Sequence, residues 1–145
     1  MITVAIVSRR LKEGKTYEDF RKAWFHTVGF GSKNKMFSLL NASDPREVVV
    51  IGLIEMTHED LMSKLMIDVK ERLANPLDEV IEPEINRKFG LLVAEDNFSA
   101  TGSIAYQPAA IDGKPTDLTQ INDELVELAQ LIAKASAMRD SSKKP

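Results

Sequence analysis

Three polar side chains stand where apolar runs break, and these are the best candidates for chemistry in the sequence. Ser8 and Arg9 follow the apolar N-terminal run, and Asn41 follows a second run. The ends of strands often flank pockets, and a pocket needs a few convergent polar groups. The guanidinium of Arg9 can bind a carboxylate or an enolate oxygen, and Asn41 can donate to a carbonyl. The alternative is that all three residues simply lead into turns.

Aromatic side chains supply candidate walls for such a pocket. Trp24 lies on the apolar stripe of the first predicted helix, where core packing alone also explains it. His26 can act as a general base near neutral pH, but helix phase places it beside Lys22 on the solvent side. We assign no catalytic residue. The predicted substrate-binding residues are Arg9, Trp24, Phe25, His26, Phe37 and Asn41.

Several classes of chemistry are absent from the sequence. There are no cysteines, which removes disulfides, cysteine-ligated zinc, iron–sulfur clusters and thiol nucleophiles. No Walker loop, Gly-x-Ser-x-Gly or His-Glu-x-x-His motif occurs. Glu79, Glu82 and Glu84 surround Pro83 and can hold a hard metal, although a solvated acidic surface is the better explanation. We therefore expect neither a metal nor a cofactor.

The bulk properties indicate one globular domain. The chain has 145 residues, 43% of them hydrophobic and 28% charged, which is typical of a folded protein. A net charge of −3 gives no indication of a nucleic-acid partner. The apolar N-terminus is too short for a signal peptide or a membrane span. We expect a cytoplasmic protein without a membrane partner.

Hydrophobic spacing predicts two helices and four strands over the first 95 residues. Each helix begins with the same device, a threonine followed three residues later by an aspartate: Thr16 with Asp19, and Thr57 with Asp60. The first helix is expected to end at Gly29, and a further short helix can begin at residues 75–76. The predicted strands are Ile2–Val7, Met36–Leu40, Glu47–Met56 and Phe89–Ala94.

This order, β-α-β-β-α-β, is that of the ferredoxin-like α+β sandwich. Right-handed crossovers place both helices on one face of the sheet. The strand Glu47–Met56 is apolar on both sides, so its second side must also be covered. A second copy of the chain or the C-terminal segment can cover it.

The C-terminal segment has a helical pattern of its own. Its apolar residues are spaced three and four apart and form one stripe: Leu118, Ile121, Leu125, Leu128, Ile132 and Ala135. This divides the chain into a ferredoxin-like domain with an irregular extension over residues 1–116, an amphipathic helix over 117–140 and a frayed tail over 141–145. The helix is expected to pack on the body or on a partner, with a short strand at residues 103–106.

The layout resembles the dimeric α/β-barrel superfamily, and in particular proteins of the antibiotic-biosynthesis monooxygenase type. The residues that carry the resemblance are the opening strand, the helix around Tyr17–Phe25 and the long apolar strand before Thr57, within the first two thirds of the chain. The resemblance implies sheet-against-sheet dimers and an apolar pocket between the sheet and the helices of each subunit. Members of the superfamily include cofactor-free monooxygenases, haem-degrading enzymes, lactone isomerases and proteins of no known activity.

Two functions follow as expectations. The first is a homodimer that binds a small apolar or aromatic compound and acts on it, if it is an enzyme, by cofactor-independent oxygenation or isomerisation. The alternative is a non-catalytic dimeric protein whose C-terminal helix binds another protein. A cavity beside Trp24 favours the first, and a closed, fully packed interior favours the second.

Overall fold

The fold was obtained as a computed structural model, which describes residues 2–24, 33–74, 76–96, 98–99, 101–105, 110–111, 114–115 and 117–143. The predicted residues Phe25, His26 and Tyr106 lie outside these ranges. The elements in chain order are β1 (Ile2–Leu11), α1 (Tyr17–Ala23), β2 (Asn34–Asn41), β3 (Asp44–Glu55), α2 (His58–Ala74), β4 (Ile81–Leu91), β5 (Ala110–Ile111), β6 (Lys114–Pro115) and α3 (Ile121–Lys143).

The four long strands form one antiparallel sheet in the order β2-β3-β1-β4. This order is compatible with a ferredoxin-like fold, and the predicted α+β class is confirmed. β5 and β6 form a separate small hairpin. No helix among the described residues is both long enough and apolar enough to cross a membrane.

Both predicted helix starts are present. The hydroxyl of Thr16 accepts a hydrogen bond from the backbone N–H of Asp19, and the Asp19 carboxylate accepts one from the backbone N–H of Thr16. Thr57 likewise accepts from the backbone N–H of Asp60, at 3.2 Å. Gly14 lies in the turn before α1 with a φ of 81°, a left-handed conformation that favours glycine. Local hydrogen bonding thus fixes where both helices begin.

β3 divides the sheet into two different faces. Its residues Val48, Val50 and Ile54 are buried beneath the helices, which defines the inner face. Val49, Ile51 and Leu53 alternate with them and point to the outer face. Paired residues of neighbouring antiparallel strands share a face, so the register assigns every sheet side chain to one face or the other.

The C-terminal helix packs within its own chain. α3 contacts α2 and β4, and Leu128 joins Leu61 and Ile54 in one buried cluster. A hydrogen bond of 2.9 Å between Nδ1 of His58 and the side chain of Glu127 joins the start of α2 to α3. Of the predicted stripe, Leu128, Ile132 and Ala135 carry this contact, whereas Leu118 and Leu125 are exposed. α3 therefore adds to the helical layer on the inner face.

Two strand boundaries differ most from those predicted. β1 continues past Val7 to Leu11, because Arg9 and Leu11 keep the inward alternation and are buried. β4 begins at Ile81 rather than Phe89. Pro83 is tolerated because β4 is an edge strand whose register shifts there: Arg9 pairs with Ile85, and Leu11 pairs with Ile81.

The helix boundaries also need correction. α1 ends at Ala23, since Trp24 leaves helical geometry with a ψ of 80°, and the predicted end at Gly29 lies outside the described residues. No short helix follows α2, because residues 76–80 form only a turn in which the Leu77 carbonyl accepts from Val80 and Ile81. Residues 103–105 form no strand, and α3 continues to Lys143.

The packing of α3 predicts a large effect of one leucine. Replacing Leu128, which is 2% exposed, with alanine should lower the free energy of unfolding by about 2–5 kcal/mol, because the cavity left behind adds to the lost burial. Leu125→Ala, three residues earlier and 38% exposed, is the matched control and should cost less than about 1 kcal/mol. Urea unfolding measures both. Equal effects would mean that α3 does not pack here.

Candidate functional site

A cavity of about 430 Å³ lies between the inner face of the sheet and the helices. Its size falls within the range of small-molecule sites. Most of the sheet side of the wall is apolar, with Ala5 and Val7 from β1 and Val50 and Ile54 from β3. Trp24 and residues of α2 and α3 complete the wall. The described parts of the sheet and the helices thus leave a space between them.

Gly52 lets one wall of the cavity form. A Cβ atom at this position would lie 2.8 Å from the sulfur of Met36, so a larger residue at position 52 would force the flexible end of the methionine side chain to move. Met36 also lines the cavity. Its unbranched thioether adapts readily to an irregular surface.

Charged side chains interrupt this apolar wall. Four arginines reach the cavity from four different elements, and two aspartates accompany them. They are Arg9 from β1, Arg72 from α2, Arg87 from β4, Arg139 from α3, Asp68 from α2, and Asp78 from the turn before β4. The formal charges of these groups leave an excess of two positive charges around the cavity.

Arg9 is the most deeply buried of these groups. Only 8% of the residue is exposed, and its guanidinium carbon lies 5.9 Å from the ring centre of Phe20. Its Nε and Nη1 atoms are buried and have no hydrogen-bond partner among the described residues. Buried guanidinium donors without partners are unfavourable, since water no longer solvates them.

The guanidinium of Arg72, like that of Arg9, lies over an aromatic ring. Its guanidinium carbon lies 6.0 Å from the centre of the Trp24 ring, and Phe20 and Trp24 stack with 5.6 Å between their centres. The two arginines are therefore placed by one aromatic pair. Cation–π attraction stabilises both positions, yet it uses the ring faces and satisfies none of the N–H donors. Nε, Nη1 and Nη2 of Arg72 are buried without partners in the described part of the chain.

Burial lowers the pKa values of three of these arginines. At Arg9, burial followed by repulsion from Arg87 lowers the pKa to about 10, although Asp68 opposes the change. Burial is also the main cause of the lowered pKa values of Arg72 and Arg87. Asp68 raises each of these three pKa values, but burial outweighs its effect.

The predicted site residues fall on both faces of the sheet. Arg9 and Trp24 line the cavity. Phe37 and Asn41 lie on the outer face, where Asn41 donates to Glu47 at 2.8 Å and Ser8 donates to the same carboxylate at 2.7 Å. Arg9 and Asn41 were expected to act on one ligand, and this arrangement separates them by the thickness of the sheet. Phe25 and His26 lie outside the described residues.

One of the three glutamates around Pro83, Glu82, forms ion pairs with arginines instead of contributing to a metal site. Glu82 accepts from Arg46 at 3.0 Å and lies 3.8 Å from Arg10, so its carboxylate joins an ion-pair network near the start of β4. Among the described residues, no group of three or more histidine, aspartate or glutamate side chains is arranged to hold a metal ion.

Sequence analysis missed three of the four arginines, although a signal exists. Each lies at a position that the spacing of its element turns toward the core. Arg72 follows Leu61, Leu65 and Asp68 at helical spacing, Arg139 follows Leu128, Ile132 and Ala135 at spacings of four, three and four, and Arg87 alternates between Ile85 and Phe89. A charged residue in register with a buried stripe is unusual. Four of them that meet in one place indicate a site.

Removing the charge of Arg9 is predicted to stabilise the ligand-free protein. Burial lowers its pKa to about 10, well below the value in an unfolded chain, which corresponds to unfavourable burial of up to about 3 kcal/mol. Arg9→Met should therefore raise the free energy of unfolding by roughly 1–3 kcal/mol. The folded chain binds fewer protons than the unfolded chain only above about pH 10, so the cost is fully present below that pH.

Denaturant unfolding of both proteins between roughly pH 6 and 9 measures this effect, and the difference should not vary with pH there. Arg10→Met is the matched control, because Arg10 is the next residue of β1 and forms an exposed ion pair with Asp44. This control should change stability little. A large loss of stability in Arg9→Met would contradict the unfavourable burial.

Comparisons with protein-family models, with curated proteins and with solved structures found no significant match. The resemblance to the dimeric α/β-barrel superfamily stays a prediction. What the chain does has to be argued from the cavity and the charges around it.

Proposed function

We propose that the protein binds a small, largely apolar compound in the cavity between its sheet and its helices. The observation that carries the proposal is the cavity itself, about 430 Å³ in volume, with an apolar sheet wall and a few charged groups. A core of this size is expected to pack without such a space unless something occupies it. The cavity beside Trp24 is also what the first of the two expected functions requires.

The chemistry that suits this lining is proton removal from the bound compound. The resulting anion would be stabilised by nearby guanidiniums, and Asp68 and Asp78 are the carboxylates at the cavity that can accept a proton. Cofactor-independent isomerisation returns the proton to another carbon, and cofactor-independent oxygenation uses dioxygen as the second substrate. Both reactions are favoured where water is excluded from the reacting atoms, and the apolar part of the wall would contribute to that.

A variant that fills the cavity tests the proposal. Ala5 lines the cavity from β1, so Ala5→Leu places three more carbon atoms in it. The probe is N-phenylnaphthylamine, an uncharged aromatic compound whose emission rises in apolar surroundings. We expect saturable binding to the wild-type protein and at least about tenfold weaker binding to Ala5→Leu, a change of about 1.4 kcal/mol.

Val4→Leu is the control for this experiment, because Val4 is the adjacent residue of β1 and faces the other side of the sheet. It should bind the probe like the wild-type protein. Absence of saturable binding to the wild-type protein, or equal binding to both variants, would contradict a ligand site in the cavity.

We also propose that a second copy of the chain covers the outer face of the sheet. The centre of this face is apolar, and Ile6, Phe37 and Leu39 are exposed there although all three are large hydrophobic residues. The paired residues Val49 and Ile51 continue the patch across β3. An apolar patch on a sheet face, with polar residues such as Ser8 and Lys88 at its side, is typical of an interface.

The size of the face suits a dimer. Four strands spaced by about 4.8 Å, each with about ten residues of 3.4 Å, present a face of roughly 650 Å². A stable protein interface buries about 800 Å² on each partner. Two sheets can therefore pack face to face with the loops around them supplying the remainder.

A glutamate in the patch should prevent this dimer. Phe37 is 52% exposed, so Phe37→Glu is tolerated by the folded monomer but places two charges in the proposed interface. Light scattering at micromolar concentration should find the wild-type protein dimeric and this variant monomeric. Val126→Glu, at a residue of α3 that is 57% exposed, is the control and should remain dimeric. A monomeric wild-type protein would contradict the proposal.

The rival function, a dimer whose C-terminal helix binds another protein, has less support. The middle of the α3 stripe, Leu128 and Ala135, is buried against the same chain. Only its first part, with Leu118 and Leu125, is exposed. The open interior likewise favours the binding of a small molecule.

A further inference from the structure

We propose that the compound bound in the cavity carries an oxyanion, such as a carboxylate, sulfonate or phosphate, and that Arg9 and Arg72 bind it. This inference rests on the proposed function and adds the chemical class of the ligand. The arginines lie at the same cavity as the apolar residues Val50 and Ile54. The ligand class is therefore an amphipathic acid with an apolar body and one anionic group.

The first argument is the number of unsatisfied donors. Six buried guanidinium nitrogens at the cavity have no hydrogen-bond partner in the described part of the chain: Nε and Nη1 of Arg9, Nε, Nη1 and Nη2 of Arg72, and Nε of Arg139. A guanidinium can only donate, so another donor cannot satisfy it. An oxyanion offers several acceptors at once and forms the strongest hydrogen bonds with arginine.

The second argument is that the donors are held in place before any ligand binds. Phe20 and Trp24 stack on each other, and one arginine lies over each ring. Arg9 is also fixed on a strand in the middle of the sheet, between β3 and β4. Preorganised donors lose little entropy when an anion arrives, which favours affinity.

The third argument is the charge around the cavity. Arg9 is repelled by Arg87, Arg72 and Arg139 and attracted by Asp68. Burial is the largest cause that lowers the pKa of Arg9 to about 10, and repulsion from Arg87 is the next. The four arginines and two aspartates named at the cavity leave an excess of two positive charges. An added negative charge at the cavity would relieve the repulsion and raise the pKa of Arg9. A neutral ligand would fill the space and leave the charges unbalanced.

The experiment compares two probes with the same ring system. Anilinonaphthalene sulfonate differs from N-phenylnaphthylamine by one sulfonate group, so their ratio of affinities isolates the contribution of the anion. Trp24 is the only tryptophan in the chain and lines the cavity, so energy transfer from it reports binding at this place. We expect the sulfonate to bind at least about tenfold more tightly than the neutral probe.

Two arginine variants identify the residues responsible. Arg9→Met and Arg72→Met keep most of the side-chain volume and remove the charge. Each should weaken binding of the sulfonate at least about tenfold and change binding of the neutral probe less than about threefold. Arg10→Met, at an exposed residue of the same strand as Arg9, should leave both affinities unchanged. Circular dichroism confirms that each variant is folded.

The outcomes separate this inference from the proposed function. If the neutral probe binds as tightly as the sulfonate, or if neither variant weakens the sulfonate, the anion site is overturned while the small-molecule function stands. If neither probe binds to the wild-type protein, both proposals fail. Competition with naphthoate, naphthyl phosphate and uncharged naphthamide then distinguishes the oxyanions. Displacement by either acid but not by the amide supports the inference, and displacement by the amide alone overturns it.

Discussion

Four arginines that face one cavity, of which Arg9 is buried, are the constraint on which the rest of this structure depends. Arg9, Arg72, Arg87 and Arg139 each occupy an inward-facing position of their element, and only 8% of Arg9 is exposed. Such charges cannot be packed dry at an acceptable free energy. The interior around them must therefore stay open or accept a negative charge, and the cavity follows from this requirement.

The buried hydrophobic residues form two separate clusters beside the cavity. One cluster gathers around Phe20, Trp24 and Val48 under α1, and another joins Ile54 and Leu61 to α3 through Leu128. The cavity has walls from both clusters, with Trp24 from the first and Ile54 from the second. Both clusters consist of buried apolar side chains, whose removal from water favours folding and opposes the cost of the charges between them. A shared space between two separately packed clusters can admit a ligand without unfolding either.

Local features of this fold could be predicted from the sequence, and non-local ones could not. Both helix starts and the two-sided strand β3 were correct because capping and alternation are properties of neighbouring residues. Arg9 was predicted to end a strand, because the sequence alone does not distinguish an arginine that faces the core from one that faces solvent. That distinction requires the pairing with the neighbouring strands. For the same reason, the sequence did not show that Arg9 and Asn41 lie on opposite faces of the sheet. Which face each residue occupies is set by the pairing of β1 and β2 with β3.

The two faces of the sheet are built from the same strands. Ligand binding at the inner face and dimerisation at the outer face, the two proposed roles, are therefore linked. In β1, Val7 and Arg9 face the cavity while Ile6 and Ser8 face the proposed dimer interface, and β3 alternates in the same way. A strand that shifts on one face must shift on the other, because its backbone is common to both. A ligand that draws Arg9 toward an anion therefore acts on the strand that carries Ile6. If the outer face is a dimer interface, dimerisation would hold β1 fixed and so hold the donors of Arg9 in position for the ligand.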